Sequence, residues 1–238
     1  IRARLVGSEM CIRDRKSLSK NLNSNISQQL FYLLVLVLFL RIDLIFQDNT
    51  PTGGDMGAHI VAIDTFIKDF MPNFQINGWS NDWFGGYPLY YFYFPLPAII
   101  TFFLNLIFPF GIAFKIMVVL SIILVVYSIE KLMRKTSNQI SIYGATAGLF
   151  YVFTESFTIY GGNLASTLAG QFSFGYSLAF ANLSIFYLLK SNNNFRFPIS
   201  SIFLALCLLS HLIPFIIYSP IYAFYWLLRK QNFNQKIL

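Results

Sequence analysis

The chain has 238 residues, of which 56% are hydrophobic and 18% aromatic but only 11% charged, and its mean hydropathy is +0.58. So few polar residues cannot cover a water-soluble globule of this length, which excludes an ordinary soluble domain. The formal net charge is +7. The composition therefore predicts an integral membrane protein, with the lipid bilayer as its first partner.

The first fifteen residues, IRARLVGSEMCIRDR, differ in character from the rest. Because VGSEMCIRDR is typical of translated sequencing adapter, residues 1–15 are given no weight, and we expect a fragment of a longer protein. Without them 13 Lys and Arg face 8 Asp and Glu, a net charge of +5, and nucleic acid is not an expected partner. The remaining cysteine, Cys207, lies alone in an apolar run, so the sequence contains neither a disulfide framework nor a metal-binding cysteine pattern.

The first membrane span is predicted over residues 26–46, around the apolar core FYLLVLVLFL, because this length of helix crosses one bilayer. Residues 16–25 precede it as a polar segment on the cytoplasmic side. A signal peptide is the alternative, but no small-x-small cleavage site follows, which favours an uncleaved anchor. Arg41 and Asp43 lie in the outer third of the span, where long side chains reach toward the headgroups.

Residues 47–111 form the predicted first outer loop, the one long stretch that combines charge, glycine and aromatic residues. Apolar residues recur there at helical spacing and predict an amphipathic helix of about four turns. They are Met56, Ile60, Ile63, Ile67 and Phe70. Because polar side chains cover the other faces, this helix suits the membrane interface better than a crossing.

A second short helix is predicted between Pro97 and Pro109, where AIITFFLNLIF is apolar but too short to cross a hydrocarbon core of roughly 30 Å. We therefore predict an interfacial or re-entrant helix. Counting it as a span would place the basic cluster of residues 131–135 on the same side as the acidic outer loop. Positive residues prefer the cytoplasmic side, which argues against that topology.

Later spans are predicted over residues 112–128, 140–154, 172–189 and 197–228. The last stretch is either two short spans hinged near His211 and Pro214 or one kinked span, and residues 160–171 form an uncharged outer loop. Ten of the 13 retained Lys and Arg are then cytoplasmic, whereas the first outer loop holds five Asp against one Lys. We therefore predict an all-α, polytopic transmembrane helix bundle of five or six spans in the cell membrane, with a cytoplasmic amino terminus.

This order of one span, a long outer loop with an early acidic residue, and interfacial helices resembles the GT-C superfamily of membrane glycosyltransferases. The runs GGDMGAH and WSNDWFGGYPLYYFYFPLP resemble its membrane family labelled 6-pyruvoyl-tetrahydropterin synthase-related, with looser matches at GGNLASTLAGQFSF and LLSHLIP. The resemblance covers residues 30–228 and implies a truncated GT-C-like domain over residues 26–238. It further implies transfer of a sugar from a polyprenyl-phosphate donor to a glycan, lipid or protein acceptor at the outer face.

Such a transfer needs a base for the acceptor hydroxyl and a positive group for the leaving phosphate. Asp55 is the candidate catalytic base, and it equally suits the N-cap of the helix that begins at Met56. His59 shares its helix face and is a candidate for binding phosphate or acceptor, with a structural role as the alternative. Asp55 and Glu155 are candidate ligands of a divalent cation, although Glu155 suits a plain solvated position as well.

Further candidate substrate-binding residues are Trp83, Tyr87, Tyr91, Gln171 and His211. The aromatic residues suit stacking on sugar rings, and the alternative for them is an interfacial belt; His211 equally suits a packing role. In the related family an acidic residue is common where Gln171 stands.

Two other function classes compete with a transferase. A transporter or channel would need ionisable residues or broken helices near the bilayer midplane, ideally in two matching halves. A non-catalytic scaffold in envelope assembly is the third class. Polarity concentrated in one outer loop, with no internal repeat, favours the transferase.

The predicted topology can be tested by cysteine labelling in a chain that carries Cys11→Ser and Cys207→Ser. An impermeant reagent should modify a cysteine placed at Asn81, in the acidic outer loop, and leave one placed at Asn193, beside basic residues, unmodified. Both should react once the membrane is permeabilised. The opposite pattern in sealed cells would invert the topology.

Overall fold

The computed structural model describes residues 30–82, 85–136, 141–155, 161–190 and 196–233. These residues are mostly helical, which confirms the predicted helical class, although one two-stranded antiparallel sheet interrupts the all-α prediction. The chain divides into two compact units, residues 1–42 and 43–238. The candidate site lies entirely within the second unit.

The first unit contains α1 (Leu30–Phe39), which carries most of the apolar run. The prediction of one continuous helix to residue 46 is wrong, because the helix ends before Arg41, whose φ is 47°. A left-handed residue of this kind cannot continue a right-handed helix. A separate short helix, α2 (Ile42–Ile45), follows where the polar residues begin.

The second unit is a helical assembly with a small hairpin near its start. Its elements are α3 (Met56–Thr65), a π-helical turn (Phe66–Phe70), a 3-10 turn (Met71–Asn73), β1 (Gly78–Ser80), β2 (Tyr87–Leu89), α4 (Leu96–Asn105), α5 (Phe110–Thr136), α6 (Ser141–Val152), α7 (Leu164–Ser166), a second π-helical turn (Thr167–Gln171), α8 (Phe172–Leu189), α9 (Arg196–Ser210) and α10 (Leu212–Phe233).

Several predicted boundaries can be compared directly with these elements. Helix α8 has the bounds that the sequence predicts, and the break at His211 between α9 and α10 confirms two helices rather than one kinked helix. The prediction of a loop over residues 160–171 is wrong for its larger part, since residues 164–171 are helical. The Asn163 side chain starts this helical stretch by accepting a hydrogen bond from the Ser166 amide at 2.8 Å.

Two helices among the described residues are long and apolar enough to cross a membrane by length and composition, namely Phe110–Arg134 and Leu164–Leu189. Four shorter apolar helices accompany them: Leu30–Phe39, Leu96–Asn105, Pro198–Ser210 and Leu212–Tyr225. The ten residues of α4 reach only about 15 Å as a helix, which confirms that this segment is short. A bundle of five or six spans stays a prediction.

Side-chain contacts fix the relative directions of the long helices. Tyr176 and Asn182 on α8 bond to Met117 and Ser128 on α5, so these two helices run parallel. Ser177 and Ser184 on α8 instead bond to Cys207 and Ser200 on α9, in antiparallel order. Ser201 and Tyr222 join α9 to α10 at 2.8 Å across the break at His211, as in an antiparallel hairpin.

The apolar stripe of α3 and its π-helical turn is buried by protein rather than by a membrane interface. Met56, Ile63 and Phe70 are at most 4% exposed and belong to the main hydrophobic core, and Ile60 and Ile67 pack against it. The apolar stripe therefore packs on protein rather than on lipid, and the interfacial placement of this helix stays a prediction. The helix lies against α4, α5 and α8 residues of that core and is a rigid wall of the outer loop.

Lys115 on α5 forms hydrogen bonds to the segment that leads into the predicted outer loop. Its ammonium donates to the Leu44 carbonyl at 2.7 Å, to the Gln47 carbonyl and to the Asn49 side-chain oxygen at 2.8 Å. The Lys115 side chain is buried, and these three acceptors use all three of its donors. The segment of residues 44–49 is thereby held against the start of α5.

Replacing Lys115 with Met should destabilise the protein by about 1–3 kcal/mol, because three charge-assisted hydrogen bonds are lost while the aliphatic stem is kept. Thermal unfolding of the purified chain in detergent would measure the change. Lys68→Met is the matched control, since Lys68 is exposed and bonds only to Asp64 one turn away. Equal melting temperatures for the two variants would contradict the role assigned to Lys115.

Candidate functional site

Asp55 occupies the N-cap position of α3, but its side chain makes no capping hydrogen bond. The capping role that the sequence allowed is therefore wrong for the carboxylate. Its Oδ2 atom instead accepts a long hydrogen bond of 3.4 Å from Gln171 Nε2, across 116 residues of sequence. The carboxylate is exposed, so it is free to meet a ligand.

A close contact between two backbone segments places Asp55 beside Gln171. The Asp55 amide donates to the Ala169 carbonyl at 2.8 Å. Gly54 has a φ of 51° and Gly170 a φ of 109°, values that favour glycine. A Cβ atom added at Gly54 would lie 2.3 Å from the Ala169 carbonyl oxygen, so there is no space for another residue at this position.

His59 lies one helical turn after Asp55, with its ring among other rings. Ring centroids lie 4.9 Å from Phe172 and 5.6 Å from Tyr93. Burial lowers the pKa of His59, although the Asp55 charge and a hydrogen bond to the Gly170 backbone both favour the protonated form. Its imidazole is therefore neutral at pH 7 and helps to hold α3 against the Gly170 segment.

Tyr93 completes this group from the chain segment before α4. Burial raises the pKa of its hydroxyl to about 12, and the Asp55 charge adds to the rise. The Ser173 hydroxyl is close enough to Tyr93 to lower the pKa of that phenol, which opposes part of the rise. Ser173 itself is buried, and its hydroxyl makes no hydrogen bond of ordinary geometry among the described residues. Tyr93 is thus a protonated hydrogen-bond donor at neutral pH.

These side chains surround a cavity of about 340 Å³, within the range of small-molecule sites. One wall is a single face of α3, whose members recur at positions i, i+3, i+4 and i+7. The opposite wall is the β1–β2 hairpin together with Tyr93. The lining residues are Asp55, Ala58, His59, Ala62, Ser80, Tyr87, Leu89 and Tyr93.

Asp82 holds the hairpin wall in place. Its carboxylate accepts hydrogen bonds from Thr65 at 2.6 Å and from Ser80 at 2.9 Å, which ties the hairpin to the end of α3. The bond from Thr65, and next that from Ser80, lowers the pKa of Asp82. The charged form of Asp82 is therefore the one that keeps the two cavity walls together.

The structure brings together only some of the residues that the sequence suggested. Asp55, His59 and Tyr87 line the cavity, and Gln171 lies against Asp55. Tyr91 is 60% exposed and is not among the lining residues of this cavity. Trp83 lies outside the described residues.

His211 is also absent from the cavity lining. Its Nδ1 atom accepts a hydrogen bond from the Ile213 amide at 3.2 Å, and its ring packs on Phe94 and Phe174. These contacts fit the packing role, at the start of α10. Glu155 is exposed beyond the end of α6.

A divalent cation would need several ligands in one place. Among the described residues no group of three or more His, Cys, Asp or Glu side chains is arranged to hold a metal ion. For the candidate cation ligands Asp55 and Glu155, the described residues therefore supply no third His, Cys, Asp or Glu ligand.

Sequence reasoning missed four lining residues, Ala58, Ala62, Ser80 and Leu89, and it did not single out Tyr93 from the aromatic residues around it. The two alanines share the helix face of Asp55 and His59, so helical spacing from Asp55 was an available signal. Tyr93 was one of several aromatic residues in a continuous run, and no pattern separates it from Tyr91. Which of the two tyrosines lines the cavity depends on the backbone turn at Tyr90, whose φ is 61°.

Comparison with known proteins adds no assignment. The sequence matches no family model, and neither a curated protein nor a solved structure is significantly similar to it.

The junction beside Asp55 can be tested with two glycine variants. Gly54→Ala should displace the Ala169 carbonyl and lower the melting temperature, because the new Cβ atom would lie 2.3 Å from that oxygen. Gly53→Ala is the matched control, since Gly53 also has a positive φ but has no atom within 4 Å of an added Cβ. Thermal unfolding in detergent should show the larger loss, by about 1–3 kcal/mol, for Gly54→Ala. Equal losses would mean that backbone conformation alone matters.

Proposed function

We propose that this chain is an integral membrane glycosyltransferase of the GT-C kind, related to the membrane 6-pyruvoyl-tetrahydropterin synthase-related family. It transfers a sugar from a polyprenyl-phosphate donor to an acceptor at the outer membrane face. The observation that carries the proposal is the exposed Asp55 carboxylate. It accepts no capping hydrogen bond from its own helix, and it lines a cavity together with a neutral histidine and two tyrosines.

The surroundings of the cavity suit an enzyme embedded in a bilayer. Two helices have the length and composition of membrane spans. One face of α10 carries apolar side chains that are more than half exposed, including Ile213 at 54%, Ile217 at 56% and Phe224 at 65%. Lipid is the natural covering for such a face. The proposed bundle has five or six spans in the cell membrane, with the amino terminus in the cytoplasm.

The proposed chemistry is one displacement at the anomeric carbon of the donor sugar. The acceptor hydroxyl gives its proton to the Asp55 carboxylate as its oxygen forms the new bond to that carbon. The bond from the anomeric carbon to the phosphate oxygen breaks, and the electron pair leaves with the polyprenyl phosphate. Gln171 Nε2, at 3.4 Å from Asp55 Oδ2, orients the carboxylate for this step.

The buried polar groups between the long helices suit packing better than an ion path. Asn182 on α8 donates to Ser128 and accepts from Tyr218 at 2.9 Å. Ser184 and Ser200 bond to one another's backbone carbonyls. These groups are neutral and satisfied by each other, and the buried carboxylate of Glu130 on α5 is paired with Arg134, so they favour the transferase over the transporter alternative.

Asp55→Asn should insert and melt like the parent chain but lose at least about a hundredfold in sugar transfer, the usual size of a general-base contribution. The amide keeps the shape of the carboxylate, and no capping bond is at stake. Transfer from a radiolabelled polyprenyl-phosphate sugar to membrane acceptors would be measured in proteoliposomes.

Asp69→Asn is the control for that measurement, because Asp69 is an exposed carboxylate of the same outer loop and lies outside the cavity. It should leave transfer unchanged. Full activity of Asp55→Asn would remove the catalytic role from Asp55.

A further inference from the structure

The charge around the cavity is negative, and among the described residues no Lys or Arg side chain lines it. Asp55 is the one charged group of the lining, because His59 is neutral when burial lowers its pKa. Two lysines belong to the same outer part of the second unit, and both are engaged elsewhere. Lys68 bonds to Asp64 at 2.7 Å, and Lys115 donates to three oxygens near Asn49.

The hydrogen-bonding groups of the lining suit hydroxyl groups. The Asp55 carboxylate accepts, and the Tyr93 hydroxyl, which stays protonated because burial raises its pKa to about 12, donates. Tyr87 offers a second phenol, whereas the Ser80 hydroxyl already bonds to Asp82 at 2.9 Å. A hydroxyl ligand between a carboxylate and two phenols would both donate and accept.

The remaining lining is apolar. Ala58 and Ala62 present methyl groups from α3, and Leu89 presents its side chain from β2. A pyranose ring has polar edges and a carbon-hydrogen face, so it matches a wall that is polar on one side and apolar on the other. The volume of about 340 Å³ is at the small end of ligand sites and fits one such ring.

We infer that this cavity takes the acceptor and not the phosphate of the donor, and that the reacting part of the acceptor is an uncharged, hydroxyl-bearing ring of one sugar unit. The inference rests on the proposed function, because a donor and an acceptor exist only if the protein transfers a sugar. What carries it is that the lining, in the part of the chain that the structure describes, holds the Asp55 carboxylate and no basic group, so a phosphate there would meet repulsion with no compensating cation.

The test compares ligands that differ only in charge. Glucose, galactose and mannose, each beside its 6-phosphate, are added to the full chain in lipid nanodiscs with and without Mg²⁺, and binding is followed by saturation-transfer NMR. At least one neutral hexose should bind, and its 6-phosphate should bind about tenfold more weakly or worse, in both conditions. Asp55→Asn should narrow that difference by removing the repelling charge.

Tyr93→Phe should weaken binding of the neutral hexose, because it removes a donor from the cavity wall. Tyr91→Phe is its matched control, since Tyr91 is 60% exposed and outside the lining, and it should leave binding unchanged. Equal or tighter binding of the hexose phosphates, with Mg²⁺ or without it, would overturn the inference. So would a lack of binding by all three neutral hexoses.

The outcome is separable from that of the proposed function. Loss of the charge preference in a chain that still transfers sugar would remove only the assignment of the cavity to the acceptor. A preserved preference in a chain that transfers no sugar would leave a site for neutral sugars and remove the transferase.

Discussion

The hydrogen bond from the Asp55 amide to the Ala169 carbonyl joins the start of the outer-loop helix to the helical turn that precedes α8. The two backbones approach closely at this point. A Cβ atom added at Gly54 would lie 2.3 Å from the Ala169 carbonyl oxygen, and one added at Gly170 would lie 3.0 Å from the Asp55 Cβ atom. Both glycines also have positive φ values. The contact between Asp55 and the Gln171 side chain depends on this junction, because it brings the two backbone segments together.

Helix α3 serves two purposes from two adjacent faces. Met56, Ile63 and the following Phe66 are buried in the main core, which also contains residues of α5 and α8. The face of Asp55 and His59 is left for the cavity. Rigid burial of one face is what lets the other hold polar side chains at fixed positions, since a packed core resists small displacements.

The second wall of the cavity is weaker in construction. The β1–β2 hairpin has only three residues in each strand, too few for stability by itself. Its attachment to α3 comes from Asp82, through hydroxyl hydrogen bonds from Thr65 and Ser80. A carboxylate outside the cavity thus determines how far Tyr87 and Leu89 stand from Asp55.

The sequence by itself determined the helical class and the bounds of α8, because hydrophobic periodicity is a local signal, and it left open whether residues 197–228 form one helix or two. Only the tertiary structure decided that Asp55 does not cap its helix, that Gln171 lies beside it, and that Tyr93 rather than Tyr91 faces the cavity. The apolar stripe of α3 looked interfacial, because periodicity shows that a face is buried and not what buries it. The contact between Asp55 and Gln171 joins residues that are 116 positions apart in the sequence. It arises from packing, and no local sequence pattern encodes it.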